Sequence, residues 1–181
     1  MKKNLSIKSS LLILAAVFIS GCLPTNLTPI TTTPTTIDLS RYTGKWYEIA
    51  SLPQIFSLGA KCITAEYSSN PDGSIKVLNK QVGADGRPSQ IEGRATVEAN
   101  SGNTKLKVAF FGAEPANSNY WIVEIADDYS YAVVSDPTKT TFWILSRTPQ
   151  MDETLVQDII NRWAAFGINT ALIKRTVQDC W

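Results

Sequence analysis

From Ile37 onward, apolar and polar residues alternate in short runs with the two-residue period of half-buried strands. The runs lie at Trp46 to Ala50, Ile63 to Ser68, Ser74 to Lys80, Ile91 to Glu98, Lys105 to Phe111, Tyr120 to Ala126, Tyr131 to Ser135 and Phe142 to Ser146. Between them, Asn70-Pro71-Asp72-Gly73, Ala84-Asp85-Gly86, Asn100-Ser101-Gly102-Asn103 and Asp127-Asp128 supply residues that tolerate the positive φ of hairpin turns. One segment has helical period. Behind Pro149, with Asp152 as N-cap or first-turn acid, Leu155, Ile159, Trp163 and Phe166 recur every three to four residues until Gly167 ends the run. A short strand is expected near Ala171 to Thr176. One helix cannot cover a parallel sheet, so the pattern predicts a mainly β fold: an eight-stranded antiparallel up-and-down barrel with one C-terminal α-helix packed outside.

Alternation also sorts the faces. In Ala65-Glu66-Tyr67, Ile75-Lys76-Val77 and Lys107-Val108-Ala109-Phe110, one face carries apolar side chains and the other several charges. An eight-stranded barrel either fills its interior with side chains or leaves room for one small ligand, and periodicity does not separate these outcomes.

The N-terminus breaks the pattern. Lys2, Lys3 and Lys8 precede an apolar run from Leu11 to Ile19, then Ser20, Gly21 and Cys22. Nine apolar residues are too few to span about 30 Å of hydrocarbon, so a secretory signal fits better than a membrane span or a core helix. Ile19-Ser20-Gly21-Cys22 resembles the lipobox of bacterial lipoproteins, which implies removal of residues 1–21 and acylation of Cys22. Several acyl chains at about 0.8 kcal/mol per buried CH₂ hold a protein on a membrane where one does not. Leu23, in place of the aspartate that retains such proteins at the inner membrane, implies an outer-membrane address. Residues 23–36 contain seven threonines, three prolines and no charge, a composition expected of a tether rather than a core. Its reach is roughly 20 Å as a coil and roughly 46 Å as polyproline II. The folded domain is therefore expected over residues 37–181.

Composition narrows the chemistry. The 181-residue chain has 17 basic and 16 acidic side chains, a formal charge of +1, and processing at Cys22 leaves 14 against 16. Neither balance drives the chain toward nucleic acid. No histidine is present, which removes His-activated nucleophiles and imidazole metal sites. Three cysteines are too few for a Cys-rich metal module, so no metal or cofactor is expected.

Specific blocks then carry a family resemblance. Tyr42 followed by Gly44-Lys45-Trp46-Tyr47-Glu48-Ile49-Ala50 resembles the first-strand motif of the lipocalins, in its bacterial and apolipoprotein D-like branch. Tyr131 to Pro137 and Trp143 to Pro149 resemble the second and third blocks of that family, in order. The resemblance covers residues 38 to about 178 and implies a lipocalin barrel with a lid after the first strand. It further implies that Gly44, Trp46 and Arg147 close one end, Arg147 stacking on Trp46, and that Cys62 pairs with Cys180 in an oxidising compartment. Two free thiols are the alternative.

Orienting the strands from an inward Trp46 and matching them to those of the family, the resemblance implies a cavity set of Ala65, Tyr67, Val77, Val97, Val108, Phe110, Tyr120, Ile122, Val134 and Trp143, with Phe56 and Leu58 in the lid. Glu48 and Glu124 are candidate inward acids. The resemblance implies a non-catalytic binder of fatty acids or lysophospholipids for outer-membrane maintenance, with the domain in the periplasm and a homodimer as a further expectation. Transfer of sixteen methylenes from water is worth about 13 kcal/mol gross, against association costs of about 4 to 15 kcal/mol. Two alternatives stand beside this: a lipid-modifying enzyme using Glu48 or Glu124, and a filled-barrel interaction protein.

Overall fold

The computed structural model describes residues 34–180. Residues 1–33, with the signal segment, Cys22 and most of the expected tether, lie outside the described residues, as does Trp181. A one-turn helix α1 (Leu39–Tyr42) leads into β1 (Gly44–Ser51). There follow β2 (Lys61–Ser69), β3 (Ile75–Val82), β4 (Pro88–Val97), β5 (Lys105–Ala109), β6 (Tyr120–Ile125), β7 (Tyr131–Ser135) and β8 (Phe142–Ser146). Helix α2 (Glu153–Ala165) and a two-residue strand β9 (Lys174–Arg175) complete the chain. Each of β1 to β7 pairs antiparallel with its successor, and β8 pairs with β1, so the sheet closes into a barrel with β9 added on β1.

The interior divides by depth. At one end Trp46, Tyr42, Leu106, Ile122 and Val134 are fully buried and pack with Ile75 and Ala95 as a solid plug. Arg147 seals that plug from below. Its guanidinium lies 3.7 Å from the Trp46 ring centroid and donates to the carbonyls of Lys45 (2.9 Å), Tyr42 (3.2 Å) and Arg41. Gly44 has φ +93°, so a side chain there would strain the backbone, and a Cβ would stand in contact with the guanidinium, 3.4 Å from Nη1. Asp38 caps α1 by accepting from the Ser40 amide, and the Trp46 indole donates to the Tyr42 carbonyl at 2.8 Å. This single turn was not foreseen, because four residues are too few to display helical period.

The outer face of β1, β6, β7 and β8 packs on α2 through Ile49, Val133, Phe142, Ile144, Val156, Ile159 and Trp163. Asp152 is the N-cap, accepting from the Leu155 amide at 2.9 Å. The buried stripe is Val156, Ile159 and Trp163, while Phe166 remains 42% exposed, since it follows the helix instead of extending its face. The expected terminal strand shortens to β9, preceded by a 3-10 turn.

The seam of the barrel is β1. Its pairing with β2 stops at Tyr47 opposite Thr64, and beyond that point the C-terminal tail fills the gap. The Cys62 amide donates to the Val177 carbonyl at 2.8 Å, and the Gln178 carboxamide donates to the carbonyls of both Glu48 (2.9 Å) and Ile63 (2.8 Å). The Cys62–Cys180 disulfide pins this wedge across a separation of 118 residues. Loop-closure entropy for such a span is worth roughly 4 to 5 kcal/mol. Beneath the wedge, the Glu48 carboxylate accepts from Thr176 Oγ1 (2.6 Å) and Ser51 Oγ (2.9 Å) while only 6% of the residue is exposed. Burial raises its carboxyl from the ordinary value of 4.5, against the lowering effect of the two hydroxyls.

Two expectations follow. Arg147→Ala should cost about 3 kcal/mol in urea unfolding, from the lost stack and lost charge-assisted hydrogen bonds, and an unchanged midpoint would refute the sealing role. For Glu48 the native state holds its proton to higher pH than the unfolded chain, so its ionisation removes stability as pH rises above about 4.5 until the raised value is passed. With no histidine in the sequence, no side chain of ordinary value titrates between about pH 5 and 8. Glu48→Gln should therefore flatten the fall of unfolding free energy that sets in above about pH 4.5, and parallel curves for the two proteins would refute the assignment.

Candidate functional site

Above the plug the barrel is open, enclosing about 1100 Å³, just above the roughly 300–1,000 Å³ typical of small-molecule sites. The wall is built by alternation. β2 contributes Ala65 and Tyr67, β3 Val77 and Asn79, β4 Ile91, β5 Val108, β6 Tyr120, and β8 Trp143 and Leu145. Phe110 also faces in, where its ring covers the backbone of Gly93; a Cβ at that position would stand 2.7 Å from the ring. The connections β1–β2, β3–β4, β5–β6 and β7–β8 surround the mouth. Ile55, Phe56, Leu58 and Phe111 are exposed there, by 62% to 92%, and Phe56 also lines the cavity.

Side chains stiffen this rim. The Asn119 carboxamide pairs with both the N–H (2.8 Å) and the C=O (2.9 Å) of Val108, extending the short β5–β6 ladder as a surrogate peptide. Asp136 accepts from the amides and hydroxyls of Thr138, Thr140 and Thr141, which shapes the β7–β8 turn. Burial works against its ionisation, but these donors outweigh it and hold the carboxyl below its ordinary value.

The floor is aromatic. Tyr42 stacks near Trp46 (5.2 Å) and Tyr67 (5.4 Å), Tyr67 near Tyr120 (6.1 Å), and Tyr120 on Trp143 (6.5 Å, 23° between planes). The three phenols form a chain, Tyr42 to Tyr120 at 2.7 Å and Tyr120 to Tyr67 at 2.8 Å. Burial pushes Tyr67 up to about 12 and Tyr42 and Tyr120 well above the ordinary phenol value, so all three stay protonated at physiological pH.

Of the residues named from sequence, Phe56, Ala65, Tyr67, Val77, Val108, Phe110, Tyr120 and Trp143 line the cavity. Val97, Ile122 and Val134 do not: they point inward but lie in or against the solid plug. Periodicity assigns a face, and depth along the barrel axis needs the pairing register. Glu124 faces outward, a correction with a specific cause. The β6–β7 register slips between Ile122 and Glu124, so strict alternation fails there and Glu124 sits opposite outward Val133. Its carboxylate accepts from Arg162 Nη2 (2.6 Å), Trp163 Nε1 (2.8 Å) and the Tyr131 hydroxyl (2.9 Å). Glu48 and Glu124, the two acids considered for catalysis, therefore occupy opposite sides of the barrel wall. Asn79 was missed, although the parity of Ile75 and Val77 marks it as inward. Gln178 was missed too, and no local signal announces it.

The comparisons agree with this geometry. The family described as "Lipocalin-like domain" matches residues 37–178. The outer membrane lipoprotein Blc of Vibrio cholerae is 37% identical over 163 residues, covering 88% of this chain and 92% of its own. Bovine (Bos taurus) apolipoprotein D is 40% identical over 153 residues, covering 78% and 76%. Among solved structures, insecticyanin of the tobacco hornworm Manduca sexta superposes with a TM-score of 0.61 at 23% identity, covering 80% of this chain and 83% of that one. The barrel, the sealed end and the matched blocks make the chain a member of the lipocalin family, in the branch that holds Blc and apolipoprotein D.

Proposed function

We propose that this lipocalin is a non-catalytic lipid carrier held at the outer membrane by an acylated Cys22. Residues 1–21 are its signal peptide, 22–36 its tether, and the barrel faces the periplasm. Its ligands are fatty acids or lysophospholipids, stored or moved for membrane maintenance, especially under stress. The observation that carries this reading is the 1100 Å³ cavity, walled mainly by apolar side chains and open at a rim of exposed Ile55, Phe56, Leu58 and Phe111. An acyl chain entering there meets mostly apolar surface, and the space is far larger than a filled barrel leaves. Phe56, Ala65, Tyr67, Val77, Val108, Phe110, Tyr120 and Trp143 are the proposed contacts.

The anchor has its own support. Relatives in Vibrio cholerae and Escherichia coli, each 37% identical, are named as outer membrane lipoproteins. No helix among the described residues is long and apolar enough to cross a membrane. The chain also enters the barrel beside the sealed end, where the Ile37 amide donates to the Gly102 carbonyl at 2.7 Å, so a tether there leaves the mouth free.

Organic extraction of the purified protein should recover lipid detectable by mass spectrometry, and the delipidated protein should bind hexadecanoate or a lysophospholipid in the micromolar range or tighter. Val108→Trp should weaken that binding about tenfold or more by filling the cavity. Absence of both recovered lipid and titratable binding refutes the carrier reading. Cys22→Ser should release the domain into the periplasmic fraction, and persistent membrane association refutes the anchor.

A further inference from the structure

Beyond Tyr47, β1 and β2 no longer pair, and the C-terminal tail lies between them as an inserted strand. On one flank, Lys174 and Arg175 pair with Ser51 and Ala50, and the Thr176 amide donates to the Ile49 carbonyl at 2.9 Å. On the other, the Val177 carbonyl accepts from the Cys62 amide. Glu48, Ile63 and Thr64 at this seam line the cavity, so the tail is part of the cavity's side wall.

Two observations make this piece of wall removable. The first is that the seam cannot close without it. Glu48 and Ile63 both present carbonyls, which are acceptors and cannot bond to each other, and the Gln178 carboxamide joins them by donating to both. Nor is β2 a regular edge here, since Cys62 has φ +54° and the ladder with β3 slips between Lys61 and Thr64. The second is that the tail is not held by packing. Of residues 174–180 only Gln178 is buried, Val177 is 54% exposed, and the Lys61–Asp179 ion pair lies in solvent, where such pairs contribute little. Fixing the backbone of such a segment costs more than hydrogen bonds exchanged with water return. What remains is the covalent bond from Cys62 to Cys180, and Cys180 is exposed.

We propose that the tail is a panel in the cavity wall latched by the Cys62–Cys180 bond, and that reduction of this bond opens the side of the barrel and releases lipid. The proposal rests on the lipid-binding reading and adds its regulation. The reductant is a dithiol. One of its thiolates attacks the exposed Cys180 sulfur, the S–S bond breaks with Cys62 leaving as thiolate, and the second thiol then displaces Cys180. The protein gains two electrons and two protons, and the dithiol becomes a disulfide. With the tail free, the Glu48 and Ile63 carbonyls take water as their partner, Glu48 loses Thr176 and its cover, and water reaches an acyl chain from the side. Burial of that chain is the driving force for binding, so the wetted cavity holds it less well.

The test is isothermal titration of the purified, delipidated full chain with hexadecanoate, before reduction and in dithiothreitol, alongside hydrogen exchange read by mass spectrometry. Reduction should weaken binding about tenfold. The double variant Cys62→Ser with Cys180→Ser should bind as weakly without reductant and ignore dithiothreitol. Gln178→Ala, with the disulfide intact, should weaken binding about threefold. Exchange should quicken in peptides spanning 61–64 and 174–180 and stay slow in β6 and β7, which reports an intact barrel. Equal affinity before and after reduction, with the tail exchanging faster, overturns the wall role. Unchanged exchange in the reduced tail overturns the latch, and faster exchange throughout overturns the panel, making the bond a staple of the whole fold. Full affinity in Gln178→Ala overturns the bridging role of its carboxamide. Failure of the oxidised protein to bind hexadecanoate removes the carrier reading itself, and the exchange data then still decide whether the bond latches the tail.

Discussion

A barrel that holds a ligand must be solid at one end, and here that depends on a guanidinium laid flat on an indole. Arg147 is suited to the position because its planar cation stacks on Trp46 while its edge still donates in several directions. Burial lowers its affinity for the proton, yet a guanidinium stays charged throughout the physiological range. Its acceptors are backbone carbonyls of α1 and of the start of β1, groups that a helix end and a strand start leave unpaired. One side chain thereby satisfies the chain's entry into the barrel and caps the plug. With that end fixed, the upper half can forgo core packing, because the closed ladder of β1 to β8 already pairs the backbone.

The opposite problem arises at the seam. β1 meets β2 low in the barrel and β8 higher up, and the wedge left between β1 and β2 would expose unpaired backbone at the cavity wall. The C-terminal tail supplies the missing partners, Val177 through its carbonyl and Gln178 through its carboxamide. The Cys62–Cys180 bridge holds in place a segment whose own strand is only two residues long. Glu48 is buried because this wedge covers it, so the raised carboxyl is a consequence of how the barrel closes.

Much of this was legible. Turn residues marked four of the seven connections between barrel strands, and β7 and β8 run over the spans that alternation assigned. The sealing residues were readable because Gly44, Trp46 and Arg147 sit in short blocks with fixed spacing. The tail was not, since Gln178 acts through contacts more than one hundred residues away in sequence. Alternation also fails wherever a strand bulges, which is why Glu124 was misassigned and Glu48 was not. The slip in β1 comes after Glu48, and the slip in β6 comes before Glu124. Depth was invisible for a different reason. Ala65, Val97 and Val134 share parity and hydrophobicity, and only the stagger of neighbouring strands decides which of them faces space and which faces Leu106 or Trp46.

The charges around the cavity bear on how a lipid would be oriented. Glu48 is held by Ser51 and Thr176, Asp136 by three threonines, and Lys80 turns away toward Glu66. Each charged lining residue is thus committed to the protein, and none is a spare cation for an anionic head group within the barrel. A carboxylate or phosphate drawn inside would lose its hydration without a compensating ion pair, a cost of several kcal/mol even after relaxation. At the mouth the same group keeps its water while the chain lies against Val108, Phe110 and Trp143. Discrimination among lipids then falls on what the chain carries and how long it is, and head-group charge contributes little.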